Sequence, residues 1–134
     1  MLLLSVLTWE EGQECYVTET IYDKETKLPV FQRTLLNGLK ETPPDGSPSQ
    51  IIFDAHGRPQ KMSWHKQDKS HNEDGPAELT VNPDNGIHTV ERYVIDGKPR
   101  HPSLGPHYIV RDRNTGVLRK QEFAELDSPE APHL

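Results

Sequence analysis

A single cysteine, Cys15, means that no intrachain disulfide can form. A thiol-poor chain suits a reducing compartment, so the expected location is the cytoplasm. Cys15 sits between Glu14 and Tyr16 with no cationic neighbour in sequence to activate its thiol, which argues against a nucleophile. Apolar residues make up only 32% of the chain, too few to fill two packed layers, and a thin or one-sided core follows. No apolar run approaches the ~18 residues of a membrane-spanning helix. The apolar start Met1–Leu7 is short, lacks a basic leader and a small-residue cleavage site, and is followed by Glu10 and Glu11; it reads as a strand, not a signal peptide. Positive charge is also in deficit, with 15 Lys and Arg against 21 Asp and Glu and a net charge of −6. Such a field repels phosphate backbones, which excludes nucleic acid as a general partner and suits a basic protein partner. Lys61, Lys66, Arg111 and Lys120 are interleaved with acids, so no basic membrane-binding face forms.

What the chain has is punctuation. Twelve prolines and nine glycines in 134 residues exclude long helices and fit one domain of short strands. The punctuation recurs. Pro48, Pro76 and Pro106 are each followed three residues later by an aliphatic residue, Ile51, Leu79 and Ile109. Turn glycines come next, at Gly57, Gly86 and Gly116, and aromatics seven residues later, at Trp64, Tyr93 and Phe123. The period is about 30 residues, within the range of repeat architectures. A degraded copy precedes these: Tyr22–Lys27 resembles Arg111–Gly116, with Lys27 in the place of the glycine.

Within each copy, short runs alternate as half-buried strands do. Ala77, Leu79 and Val81 share one face, with Glu78, Thr80 and Asn82 opposite. Asn37-Gly38, Asn82–Gly86 and Asp96-Gly97 carry turn chemistry. Leu2–Thr8 and Tyr16–Tyr22 read as strands joined by a turn over Trp9–Gly12, and Gln67–Pro76 as a polar connection. The expected fold is all-β: a meandering antiparallel sheet of three or four hairpin repeats. The domain would cover residues 1–125, with repeats near 8–36, 37–66, 67–95 and 96–125, and residues 126–134 would form a flexible tail.

The segment His71-Asn72-Glu73-Asp74-Gly75-Pro76-Ala77, followed by a short strand, Asn85-Gly86 and Tyr93, resembles bacterial and phage proteins with a "GPA" hairpin repeat, which are similar to MORN repeats. The resemblance spans roughly residues 37–125. In it, Gly105-Pro106-His107 lacks the acidic residue and the alanine, and Asp45-Gly46-Ser47-Pro48 carries an inserted serine. It implies a sheet of successive hairpins serving as an interaction or membrane-apposition module.

Candidate chemistry is sparse. None of the seven histidines has zinc-motif spacing backed by cysteine, and no metal or cofactor is expected. His71 and His101 precede successive Gly-Pro turns, a recurrence that suits bonding a turn backbone group. The enzymatic alternative is a metal-dependent or acid/base hydrolase using His71, Glu73, Asp74 and His101, which requires those side chains to converge. The repeated Trp64, Tyr93 and Phe123 could form a ladder, either as core or as a binding stripe, with Trp9, Tyr16 and Phe31 extending it. The leading expectation is a non-catalytic interaction module that uses the sheet face or edge, with the aromatics and the His71 and His101 loops as contacts. A single sheet leaves two edges, which partner-strand addition or homodimerisation would cover.

Overall fold

The computed structural model describes residues 2–126, and apart from Leu126 the segment expected as a tail lies outside them. The chain forms one open antiparallel sheet of ten strands. Along its main path run β1 (Leu2–Glu11), β2 (Glu14–Asp23), β3 (Pro29–Leu36), β5 (Gln50–Phe53), β6 (Pro59–Ser63), β9 (Glu78–Val81), β10 (His88–Arg92), β13 (Tyr108–Arg111) and β14 (Leu118–Glu122). The short β4 (Leu39–Lys40) pairs with β3 to complete it. Two separate ribbons pair β7 (His65–Lys66) with β8 (Lys69–Ser70), and β11 (Val94–Ile95) with β12 (Lys98–Pro99). The only helical piece among the described residues is a 3₁₀ turn at Pro102–Leu104, and no helix among them is long and apolar enough to cross a membrane.

One turn construction recurs and explains the period. Asp23, Asp54, Asn82 and Asp112 each open a turn by accepting the N–H two residues on with the side-chain Oδ1. The turn closes where the N–H of Lys27, Gly57, Gly86 or Gly116 returns to the carbonyl of that first residue. All of these closing residues have positive φ, between 64° and 77°. A register shift follows each turn and resumes the ladder. Lys27 at φ 64° therefore does the glycine's work, and the degraded copy is built like the others. Neighbouring turns also bond to each other: Arg58 Nη2 reaches Asp84 Oδ1 at 2.9 Å, and Asn82 Nδ2 donates to the Arg113 carbonyl at 2.9 Å.

A second recurrent construction is a corner. At Trp64 and Tyr93 the chain leaves the sheet, runs through a ribbon and returns, because each residue's N–H bonds across to Ala77 or His107 while its carbonyl accepts from His71 or Arg100. The β3–β4 hairpin and the two ribbons turn at Asn37-Gly38, Gln67-Asp68 and Asp96-Gly97, each with positive φ at both central residues. They stack on one another through the Asp68 N–H to the Lys40 carbonyl, and the Gly97 N–H to the Ser70 carbonyl.

The core is thin, as the composition requires. Tyr16, Ala77 and Ile109 are its buried apolar residues, joined by buried Thr34, Ser49, His65, Asn82 and Glu91. Pairing carries one row of side chains across the sheet as Ser5, Thr20, Gln32, Ile51, Met62, Leu79, Glu91, Ile109 and Gln121. Tyr16 and Thr34 lie on this same face, which is therefore the covered one. The other face stays open and carries a row including Glu19, Arg33, Glu78, Arg92, Tyr108 and Glu122.

Two sequence-based boundaries shift. The first turn lies at Gly12-Gln13 rather than Trp9–Gly12, because Trp9 stays in the ladder and stacks on Tyr16 at 4.5 Å between ring centroids. The connection Gln67–Pro76 contains the turn and the second strand of the β7–β8 ribbon, and this Gln67-Asp68 turn lacks the glycine that signals such turns.

Candidate interaction surface

The repeated aromatics occupy the corners. Trp64 and Tyr93 directly follow strands separated by one intervening strand, so their main chains stand about 10 Å apart at ~4.8 Å per strand. Small Ala77, bonded backbone to backbone with Trp64, fills the place between them and is 0% exposed. His107 takes the corresponding place between Tyr93 and Glu122, and Ser49 the place before Ser63. The alanine of the Gly-Pro-Ala motif thus fills a fully buried place with the smallest Cβ-bearing side chain. Trp64 anchors its Nε1–H on the Gly46 carbonyl at 2.9 Å, and Tyr93 lies under the Arg100 guanidinium at 3.7 Å from the ring centroid. Phe123 is exposed. Among the described residues the stacked aromatic pair is Trp9–Tyr16, and the corner rings make no ladder of direct contacts.

His71 and His101 both accept a turn N–H on Nδ1, from Asp96 at 2.9 Å and Ser103 at 3.1 Å respectively. His71 has Glu73 at 3.7 Å from its Nε2. His101 takes the Ser103 hydroxyl at 2.7 Å within its own loop. His71, Glu73 and Asp74 border an open groove of about 530 Å³ with Trp64, Pro76 and Leu79, and His101 is not part of it. Among the described residues no three His, Cys, Asp or Glu side chains are grouped so as to hold a metal ion.

The polar cluster around the buried Glu91 is structural in form. The Glu91 carboxylate, 6% exposed, accepts the Tyr93 hydroxyl at 2.7 Å, Arg111 Nη1 at 2.7 Å and His88 Nδ1 at 3.2 Å. Burial alone would push its pKa up, but the Tyr93 and Arg111 bonds outweigh it and hold the carboxyl below its ordinary value. Burial, and then the same contact with Glu91, raise the pKa of the Tyr93 hydroxyl. Burial likewise lowers His65, whose Nδ1 lies 2.7 Å from the buried Ser49 hydroxyl. Ser49 is fully buried, while His65 also borders the groove that His71 and Trp64 line.

The feature with room for a partner is the β1 edge. β1 pairs with β2 over ten residues without a bulge, from Leu2↔Asp23 to Glu11↔Glu14. Among the described residues nothing pairs with its outer side. Leu2, Leu3, Leu4, Val6 and Leu7 are all exposed, Leu4 by 63% and Leu7 by 61%. The opposite edge differs. β14 is half as long, its ladder is bulged, and it carries Arg119, Lys120 and Glu122, with Arg119 paired to Asp112 at 2.6 Å and Lys120 to Glu122 at 3.0 Å. Lysines and bulges are the usual guards of a sheet edge, and β1 has neither. Sequence reading recognised the strand but did not single out its residues. The available signal was the unbroken apolar run Leu2-Leu3-Leu4, which predicts burial on both faces rather than the alternation of a half-exposed strand.

No protein-family model, curated protein or solved structure matches the chain.

Proposed function

We propose that this protein is a non-catalytic interaction module that captures a protein strand along the β1 edge. The observation that carries this reading is the coincidence, on one strand, of unpaired main-chain groups, a straight ladder and exposed leucines on both faces. Strand addition draws affinity from the main-chain bonds and selectivity from alternate side chains. The chemistry-bearing side chains support the same view, because His71 and His101 hold turn backbones rather than facing each other.

The test is affinity capture from the native host lysate with the wild-type chain and with Val6→Lys, both confirmed folded by circular dichroism. The expected result is a stoichiometric partner, whether another protein or an untagged copy of this chain, that is lost with Val6→Lys. The same captured set with both baits, or none with a folded wild-type bait, would overturn the reading.

A further inference from the structure

We infer that the strand taken up by β1 is β1 of a second copy, so that the protein closes its open edge as a two-fold dimer with one continuous sheet. This rests on the interaction reading above and names its partner.

The first turn decides which main-chain groups of β1 are available. Glu11↔Glu14 closes the two-residue Gly12-Gln13 turn, and Gly12 has φ 62°. The closing pair of such a hairpin is hydrogen-bonded, and bonded pairs alternate along an antiparallel ladder. The odd residues of β1 therefore bond to β2, whereas Leu2, Leu4, Val6 and Thr8 direct their N–H and C=O groups outward.

The segment Leu2–Thr8 carries no charge and no proline. It pairs with itself about Ser5. Ser5 would meet Ser5, Leu4 would meet Val6, Leu3 would meet Leu7 and Leu2 would meet Thr8. Every outward main-chain group of Leu2–Thr8 then finds a partner, and each exposed leucine gains an apolar or uncharged neighbour on its own face. The charges fit as well. In this antiparallel register the two Glu10 residues lie about 33 Å apart at ~3.3 Å per residue, well beyond the ~8 Å screening length at physiological salt. A parallel register would set Glu10 against Glu10. The arrangement also closes on itself: each copy uses β1 once, and the charged, bulged β14 offers no second uncharged edge for growth into a fibre.

Size sets the strength. Leu2–Thr8 is about 23 Å long at ~3.3 Å per residue, and a contact of that length falls short of the ~1,600 Å² of a standard interface. The dimer is therefore of the weak, reversible class.

The experiment is sedimentation equilibrium of the purified full chain from micromolar to near-millimolar concentration, beside cysteine cross-linking in a Cys15→Ser background. Wild-type chain should pass from monomer to dimer and no further, and Val6→Lys should weaken the association by more than about tenfold, as a lysine guards an edge. Ser5 on the two-fold axis forms a non-bonded pair with Cα atoms ~4.5 Å apart, inside the disulfide range. Ser5→Cys should therefore cross-link under mild oxidation, and Thr20→Cys, on the inner neighbour strand, should not. Three results would overturn the inference: a monomer throughout the range, a dimer unaffected by Val6→Lys, or equal cross-linking at both positions. A monomer that still captures a different protein through Val6 would sink self-pairing and leave the interaction module standing. A monomer that captures nothing would sink both.

Discussion

Replacing Glu91 with alanine tests whether the covered face is held by a charged network rather than by apolar packing. The wild-type carboxylate has three partners within 3.2 Å: Tyr93 Oη, Arg111 Nη1 and His88 Nδ1. Hydrogen bonds to charged groups contribute about 1.5–3 kcal/mol each, and losing one member of a fully buried ion pair costs about 3–5 kcal/mol. Two effects reduce the loss here. The Arg111 side chain is 30% exposed and regains water, and removing the carboxylate also removes its own desolvation penalty. A net destabilisation of about 2 kcal/mol remains. The assay is urea unfolding of wild type, Glu91→Ala, Arg111→Met and the double variant, with Met chosen to keep the apolar stem of the arginine. The cycle should return a coupling of about 1–2 kcal/mol. Because the folded-state pKa of Glu91 lies below its ordinary value, its contribution is complete above about pH 4.5 and is lost as the pH falls through the folded-state value. The gap between wild type and Glu91→Ala should therefore be constant from neutral pH down to that region and narrow below it. A loss under ~0.5 kcal/mol, as for an ordinary surface site, or a gap that widens in acid, would refute the reasoning.

The recurrent turn and corner make further predictions. Gly57→Ala and Gly86→Ala both force an L side chain to φ near +76°, but only at Gly57 does the new Cβ meet neighbours, Leu28 Cδ2 at 3.2 Å and Pro29 Cδ at 3.3 Å. Both should destabilise by about 1 kcal/mol, with Gly57→Ala the worse of the two in melts run side by side; equal losses would show that the turns do not pack. Lys27→Gly should stabilise by about 0.5 kcal/mol in urea titration, since glycine relieves the φ 64° strain and gives back part of the gain in unfolded-state entropy. Ala77→Leu should destabilise by about 1–3 kcal/mol through overpacking between the Trp64 and Tyr93 corners, measured by denaturant unfolding.

The fold was legible because its turns are written in residues with single-purpose chemistry. Gly57, Gly86 and Gly116 announce positive φ, and Asn37-Gly38 and Asp96-Gly97 announce two-residue turns, so the period and the antiparallel meander follow from punctuation alone. Legibility failed where the structure imposes the same geometry on a general-purpose residue. Gln67-Asp68 makes the same ribbon turn without glycine, held by the Asp68 bonds to Lys40. The corner role of Trp64 and Tyr93 was hidden for another reason: an aromatic on a period looks alike whether it stacks on its counterpart or packs against an intervening alanine. The Glu91 cluster was equally hidden, because Arg111 comes from the neighbouring strand and only register brings it there. The β1 edge was visible as a strand but not as a surface, since exposure depends on what the rest of the chain leaves uncovered.

The most direct test of the central claim, that β1 is a surface awaiting a strand, is amide hydrogen exchange resolved by residue on the purified chain at low and high concentration. The amides of Leu2, Leu4, Val6 and Thr8 should exchange rapidly at low concentration and become protected as concentration rises, while those of Leu3, Ser5 and Leu7, already bonded to β2, change far less. Rapid exchange of Leu2, Leu4, Val6 and Thr8 at every concentration, or new protection centred on β14 or the open face, would contradict the account.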